Sequence, residues 1–400
     1  MIKLVANVIM VPLMALSTCL PVYAQSDFNL NSISVSNISG SGDNTNIQPP
    51  LALAPNDVYD FPVKPGTAEW NALANTEERV KVCQIPELLL RKMSTAGLME
   101  TVLNYPFYWD IMASNSNLQD GFYGMAAHFN GIRELLRRKD AGIKLLLKYR
   151  SIPPPKMEAT DMEIGEYFFY CYTFEILFAQ DAIRANLTEA QLKEMKKELL
   201  AKYEIRKELK ESGGFGKEIM ELNGLLPQRR STKAFPTVVY TPKHSEVKAL
   251  QMQDFDEMDW YQMKLCAKYW SIQHPYATQE TSCSKLYNCH SYAWHDQTGL
   301  SQIWINGPYQ QQYWLDGSYS LWLDSAAVSG MKLDYYSDNH SAIFVSGQNP
   351  VVAPALSMCR SKWGDGPRML HNCKDTPLIY NPTGGIHAYT LSPPAGNEPK

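Results

Sequence analysis

From Thr67 to about residue 225 the apolar residues recur at three- and four-residue spacing, the period of helices that bury one face. The stretch TAEWNALANTEERVKVCQIPELLLRKMSTAGLMETVLN opens this region, with Ser94 placed to cap a helix. FNGIRELLRRKDAGIKLLLKY and MEIGEYFFYCYTFEILFAQDAI continue the pattern. LTEAQLKEMKKELLAKYEIRKELKES begins with Thr188 and Gln191 in capping-box register, and Leu192, Met195, Leu199 and Tyr203 form its apolar stripe. The charges from Lys193 to Lys210 alternate in sign three and four residues apart, which reads as the solvated face of that helix.

Beyond Pro227 and Arg229-Arg230 the texture changes. Thr237–Tyr240 and Ser245–Met252 read as a hairpin, and DFDEMDWYQMKLCAKYW predicts a helix. Past residue 300, short apolar runs alternate with Gly, Asn, Asp and Pro: SQIWINGP, YWLDGSYSLWL, MKLDYYS, HSAIFVSG, ALSMCRSKWG and GIHAYTLS, all read as strands. The pattern predicts an all-helical domain, 66–228, followed by an α+β domain, 229–400. A length of 400 residues is consistent with two domains or more.

The N-terminus reads as a targeting segment. Lys3 precedes an apolar run from Leu4 to Leu20, broken by Asn7 and Pro12, and Val22-Tyr23-Ala24 matches a cleavage site. We expect a signal peptide over 1–24, export of the mature chain, and a flexible Ser-, Asn-, Gly- and Pro-rich linker over 25–65. Leu16-Ser17-Thr18-Cys19 is a weak lipoprotein box, because Thr18 suits such a cysteine poorly. No later stretch is long enough for a transmembrane helix. The formal net charge of −4 provides no broad footprint for nucleic acid or anionic lipid.

Export changes how the eight cysteines read. Loss of Cys19 with the signal leaves an odd number, hence at least one free thiol, and Cys359–Cys373 is the first disulfide to expect. The densest chemistry is SKLYNCHSYAWHD, residues 284–296. Asn288 suits an N-cap, which sets Cys289 in a first helical turn where free N–H groups and the helix dipole favour a thiolate. Three other readings of Cys289 stand open: a buried structural cysteine, a disulfide to Cys283, and a zinc site with Cys283, His290 and His295. As helper base, His340 opens an apolar strand, and His371 is the orienting partner, ahead of Asn372 and Asp365. Tyr287, Trp304, Tyr313 and Trp314 are candidates to line a substrate groove, with core packing as the alternative. His128, His244, His274 and His387 read as structural.

The helix-start cysteine, the run from Gly330 to Gly347 containing HSAIFVSG, and MLHN at 369–372 together resemble the NlpC-like cell-wall peptidases, a branch of the papain-like cysteine hydrolases related to the CHAP amidases. The resemblance covers roughly residues 233–390 and departs where Met331 follows Gly330 and where a long segment separates His340 from His371. It implies a papain-like domain with the cysteine helix packed on an antiparallel sheet. It also implies Cys289 as nucleophile, His340 as base, His371 as third residue, a peptide or peptidoglycan-like substrate, and no metal or cofactor. Two further readings accompany it: an acyltransferase with the same Cys-His chemistry, and a non-catalytic surface protein whose helical domain docks an unknown protein partner.

Overall fold

Several of the longer helices begin where a side chain can satisfy the free N–H groups of a first turn. The computed structural model describes residues 57–209, 214–226, 235–253, 257–336, 339–380 and 385–393. Ser94 accepts from the Gly97 N–H at the head of Thr95–Leu103. Thr160 with Glu163, and Thr188 with Gln191, close capping boxes before Asp161–Phe178 and Glu189–Glu208. Met195, Leu199, Lys202 and Arg206 are buried on the inner face of the last of these, and most of its other charged residues lie on the outer face. Asp161–Phe178 is apolar on every side and is accordingly surrounded by other elements. Its one deeply buried carboxylate, Glu175, is met by both arms of Arg206 at 2.7 and 3.0 Å and by the Tyr149 hydroxyl.

Among the described residues ten strands follow: β1 Phe235–Tyr240, β2 Glu246–Gln251, β3 Thr278–Gln279, β4 Ile303–Trp304, β5 Tyr319–Leu321, β6 Lys332–Tyr335, β7 Ser341–Gly347, β8 Ser357–Lys362, β9 Arg368–Asn372 and β10 Ile386–Leu391. The hairpin β1–β2 joins β4 in a three-stranded sheet, and the rest form a seven-stranded sheet in the order β3-β9-β8-β7-β6-β10-β5. Every pairing is antiparallel, so the fold is α+β. Between β2 and β3, Trp260–Gln273 forms a helix headed by an Asp259–Gln262 capping box.

The helical residues and the seven-stranded sheet share one hydrophobic core. Phe107, Tyr108, Phe122 and Phe168 belong to the same buried cluster as Trp270, Trp363, Met369 and Tyr380. Polar contacts cross the same seam: Arg79 bonds Asp375 at 2.9 Å, Thr76 donates to the same carboxylate at 2.9 Å, and Trp70 Nε1 donates to the Gln273 carbonyl at 3.0 Å. The described residues therefore belong to one compact unit. The expected boundary at 228/229, the signal segment 1–24 with Cys19, and the linker as far as residue 56 lie outside the described residues. The end of the expected linker is packed rather than loose: Phe61 is buried, and the Tyr59 N–H donates to Thr101 Oγ1 at 2.9 Å.

Cys359 in β8 is bonded to Cys373 just past β9, with Cα atoms 5.2 Å apart, and Cys266 is bonded to Cys283 across 6.3 Å. Cys83, Cys171 and Cys289 are free and buried. Among the described residues, no helix is long and apolar enough to cross a membrane.

Candidate functional site

The loop leading to Cys289 is held from both sides. The Cys266–Cys283 bond ties it to the Trp260–Gln273 helix, and the buried ammonium of Lys362 donates to the carbonyls of Ser284, Gly364 and Gly366 at 2.7, 2.5 and 2.6 Å. Asn288 then caps the turn: its Oδ1 accepts from the Ser291 N–H at 3.1 Å while its Nδ2 donates to the Ile305 carbonyl at 2.7 Å. The chain turns helical at Cys289 and widens to i→i+5 winding over Ser291–His295, where the Asp296 N–H reaches the Ser291 carbonyl at 2.9 Å. Single wide turns of this kind concentrate at functional sites. This short helix lies on the face formed by β6, β7 and β8.

Cys289 is 0% exposed. Burial pushes its thiol up to about 12, while the Ser341 backbone and the Asn115 side chain act in the opposite direction. His340, immediately before β7, is also 0% exposed and stacks on Tyr380 with ring centroids 3.9 Å apart. Burial holds its pKa well below the ordinary histidine value, and the neighbouring His371 and His290 act in the same direction.

His340 and His371 do not touch; their ring centroids are 6.5 Å apart. Ser361 of β8 lies between them, its Oγ 3.1 Å from His340 Nε2 and 2.7 Å from His371 Nε2. The hydrogen-bond pattern assigns the protons. His371 Nδ1 lies 2.8 Å from the Asn372 carbonyl, which can only accept, so Nδ1 carries the proton and Nε2 is an acceptor. Burial lowers His371 to about 4, which keeps that ring neutral. The Ser361 hydroxyl therefore donates to His371 and accepts from Trp363 Nε1 at 3.0 Å and from His340 Nε2. That leaves His340 Nδ1 as a bare lone pair, and it has no partner. His340 makes no hydrogen bond to Cys289.

The expectation that His371 orients His340 directly is thus corrected: β8 separates β7 from β9, and the contact passes through Ser361. Sequence reading missed Ser361. Its one signal is alternation, two residues beyond Cys359, which pairs with His371. Asn372 contributes only its backbone carbonyl, and its side chain donates to the Ala355 carbonyl at 2.5 Å. Asp365 faces Lys285 at 3.5 Å instead, and burial raises it to about 6.

Cys283 is engaged with Cys266, which removes it from both the Cys283–Cys289 disulfide and the zinc reading. His290 is buried with Nδ1 2.8 Å from Ser341 Oγ, and His295 is exposed. Among the described residues no cluster of His, Cys, Asp or Glu stands at ligand spacing. The four aromatics do not form an open groove. Tyr287 lies under the Lys362 ammonium, 5.0 Å away, and Trp304 Nε1 donates to the Asn115 carbonyl at 2.8 Å. Tyr313 packs on Trp294 at 5.8 Å and Trp314 stacks on Tyr389 at 4.8 Å, because these rings fill the core between the smaller sheet and the Cys289 helix. A surface groove of about 680 Å³ lies along β1, β2 and Tyr309, and its lining contains none of Cys289, His340 or His371.

No family model, no curated protein and no solved structure matches this chain.

Proposed function

We propose that the chain is an exported cysteine hydrolase of papain-like fold that cleaves amide bonds, with the peptides of peptidoglycan as substrate class, seen here in a closed resting form. The observation that carries this reading is the bare Nδ1 lone pair of His340, fixed in that tautomer through Ser361 and His371, at the head of β7, the strand on which the helix begun by Cys289 lies. In the reaction, Nδ1 takes the Cys289 proton and the sulfur bonds the amide carbon. The imidazolium returns the proton to the departing amine, and water then releases the acid from the thioester.

The closed form is not the reacting form. With the thiol at about 12, forming the thiolate at pH 7 costs about 7 kcal/mol. Burial is the first cause of that shift, so an opening that admits substrate and water also removes it.

A second reading, a non-catalytic binding protein, is favoured by one observation: Cys289, His340 and His371 are all 0% exposed. Digestion of purified peptidoglycan separates the two. The hydrolase reading expects soluble peptide fragments with new free termini from the wild type and none from Cys289→Ala. Equal release from both proteins would overturn it. Fragments joined to an added amine rather than ended by water would mark acyl transfer.

A further inference from the structure

We infer that a cleft on the helical part of the chain, lined by Arg91, Arg133 and Arg137, is a binding site for a phosphate group that carries two negative charges. Its lining contains none of Cys289, His340 or His371, and it does not depend on the hydrolase reading.

The cleft has a volume of about 240 Å³. One wall is the short helix Glu87–Leu90 with Arg91 directly after it, and the other is Asn130–Leu135 with Arg137 two residues beyond. The walls are fastened to each other. The Asn130 side chain accepts from the Ile85 N–H at 3.1 Å and donates to the Ile85 carbonyl at 2.7 Å. Arg138 donates to the carbonyls of Leu90 and Met93 at 3.2 and 3.1 Å. Gly131 permits the close approach, since a Cβ there would stand 2.9 Å from Ile85 Cδ1. The spacing of the walls is therefore set before a ligand arrives, which lowers the cost of binding one.

Charge balance defines what the cleft can hold. Glu134 is already met by Arg138, whose Nε lies 2.6 Å from its Oε1. Arg133 donates through Nη1 to the Ala126 and Ala127 carbonyls at 3.1 and 2.8 Å, which leaves its other N–H groups uncommitted. Arg91 and Arg137 are exposed, and among the described residues neither side chain has an ion pair or hydrogen bond. Glu87, also exposed, is the one uncommitted carboxylate of the lining. Three guanidinium groups against one carboxylate leave a surplus of two positive charges, on a chain whose formal net charge is −4. The surplus is thus local.

Guanidinium meets phosphate oxygens with paired N–H donors and stays charged at any physiological pH. Three such groups around one small cleft match the three terminal oxygens and two charges of a phosphate monoester. A carboxylate or a phosphodiester offers two free oxygens and one charge, so each leaves a guanidinium unanswered. The fit is to a monoester or to free phosphate.

Isothermal titration calorimetry tests this with glycerol phosphate, a monoester, and with inorganic phosphate. Dimethyl phosphate and acetate are the singly charged probes at the same ionic strength. The expected result is saturable binding of glycerol phosphate with a Kd at or below about 1 mM, and at least about tenfold weaker binding of both singly charged probes. Inorganic phosphate of equal or higher affinity supports a site for the free ion, and a preference for the ester supports a site for a carried group. Arg91→Gln with Arg137→Gln, both at exposed positions, should weaken glycerol phosphate binding by at least about tenfold. Lys243→Gln with Lys248→Gln removes the same charge from exposed positions of the β1–β2 hairpin and should change affinity by less than about twofold. No saturation up to about 10 mM, equal affinity for either singly charged probe, or the same loss from both double variants would overturn the assignment. The comparison of probes on the wild type decides the matter even if the arginine variant folds poorly.

Discussion

At the scale of residues, what distinguishes the site is a set of proton positions. A backbone carbonyl fixes His371, His371 fixes the Ser361 hydroxyl, and Ser361 fixes His340, so that Nδ1 alone can receive a proton. In the proposed hydrolase Ser361 is thus a positioning residue. Ser361→Ala should lower the rate of peptide release by about 10²-fold. It should also displace the histidine limb of the pH–rate profile, because His340 can then adopt either tautomer. Ser361→Thr, which keeps a hydroxyl, should restore most of both. A Ser361→Ala variant that loses thermal stability but keeps its pH profile would reduce Ser361 to packing. Cys289 and His340 were legible in the sequence because each opens an element, where a side chain is presented on a rigid frame. Ser361 was not, since serine is common and its importance depends on β8 lying between β7 and β9, a pairing that local pattern does not encode. The aromatic groove was misread for a similar reason: Tyr313 and Trp314 look the same in sequence whether they face a ligand or Trp294 and Tyr389.

At the scale of elements, the helix heads were legible because a cap is a local event. Ser94 and the Thr188–Gln191 box stand where the spacing placed them. The hairpin β1–β2 and the strands β6, β7, β8 and β10 also fall on the runs that the sequence marked as strands. Buried charge was not legible. Arg206 reads as one more residue of a charged helix face, yet it is 0% exposed and grips Glu175. Removing one partner strands the other, so Arg206→Ala should cost about 3–5 kcal/mol in urea unfolding. The paired replacement Glu175→Leu with Arg206→Met should cost far less, because it removes both desolvated charges together. Similar costs for the single and the double replacement would show that the pair is held for shape rather than for charge.

At the scale of the whole molecule, a change of texture near residue 228 suggested two domains, whereas Trp70, Phe107, Trp270 and Trp363 lie in one core. Periodicity reveals which face of an element is apolar; it does not reveal what that face meets. Across the same seam Trp304 Nε1 donates to the Asn115 carbonyl, and Asn115 Nδ2 donates to the carbonyl of Asn339, the residue before His340. The helical part therefore packs directly on the elements that carry the candidate residues and is not an appended module. The free cysteines provide an internal comparison, since Cys83, Cys171 and Cys289 are all buried and burial pushes each thiol up to about 12. A cysteine that serves a site must be uncovered by local opening, whereas a structural one is uncovered only by unfolding. Iodoacetamide labelling of the folded mature chain below pH 8, followed residue by residue, therefore tests the central claim most directly. The account predicts that Cys289 labels at least about tenfold faster than Cys83 and Cys171, and that His340→Ala removes the advantage. If all three label together, only as the protein unfolds, and His340→Ala changes nothing, Cys289 is a core cysteine and the account is wrong.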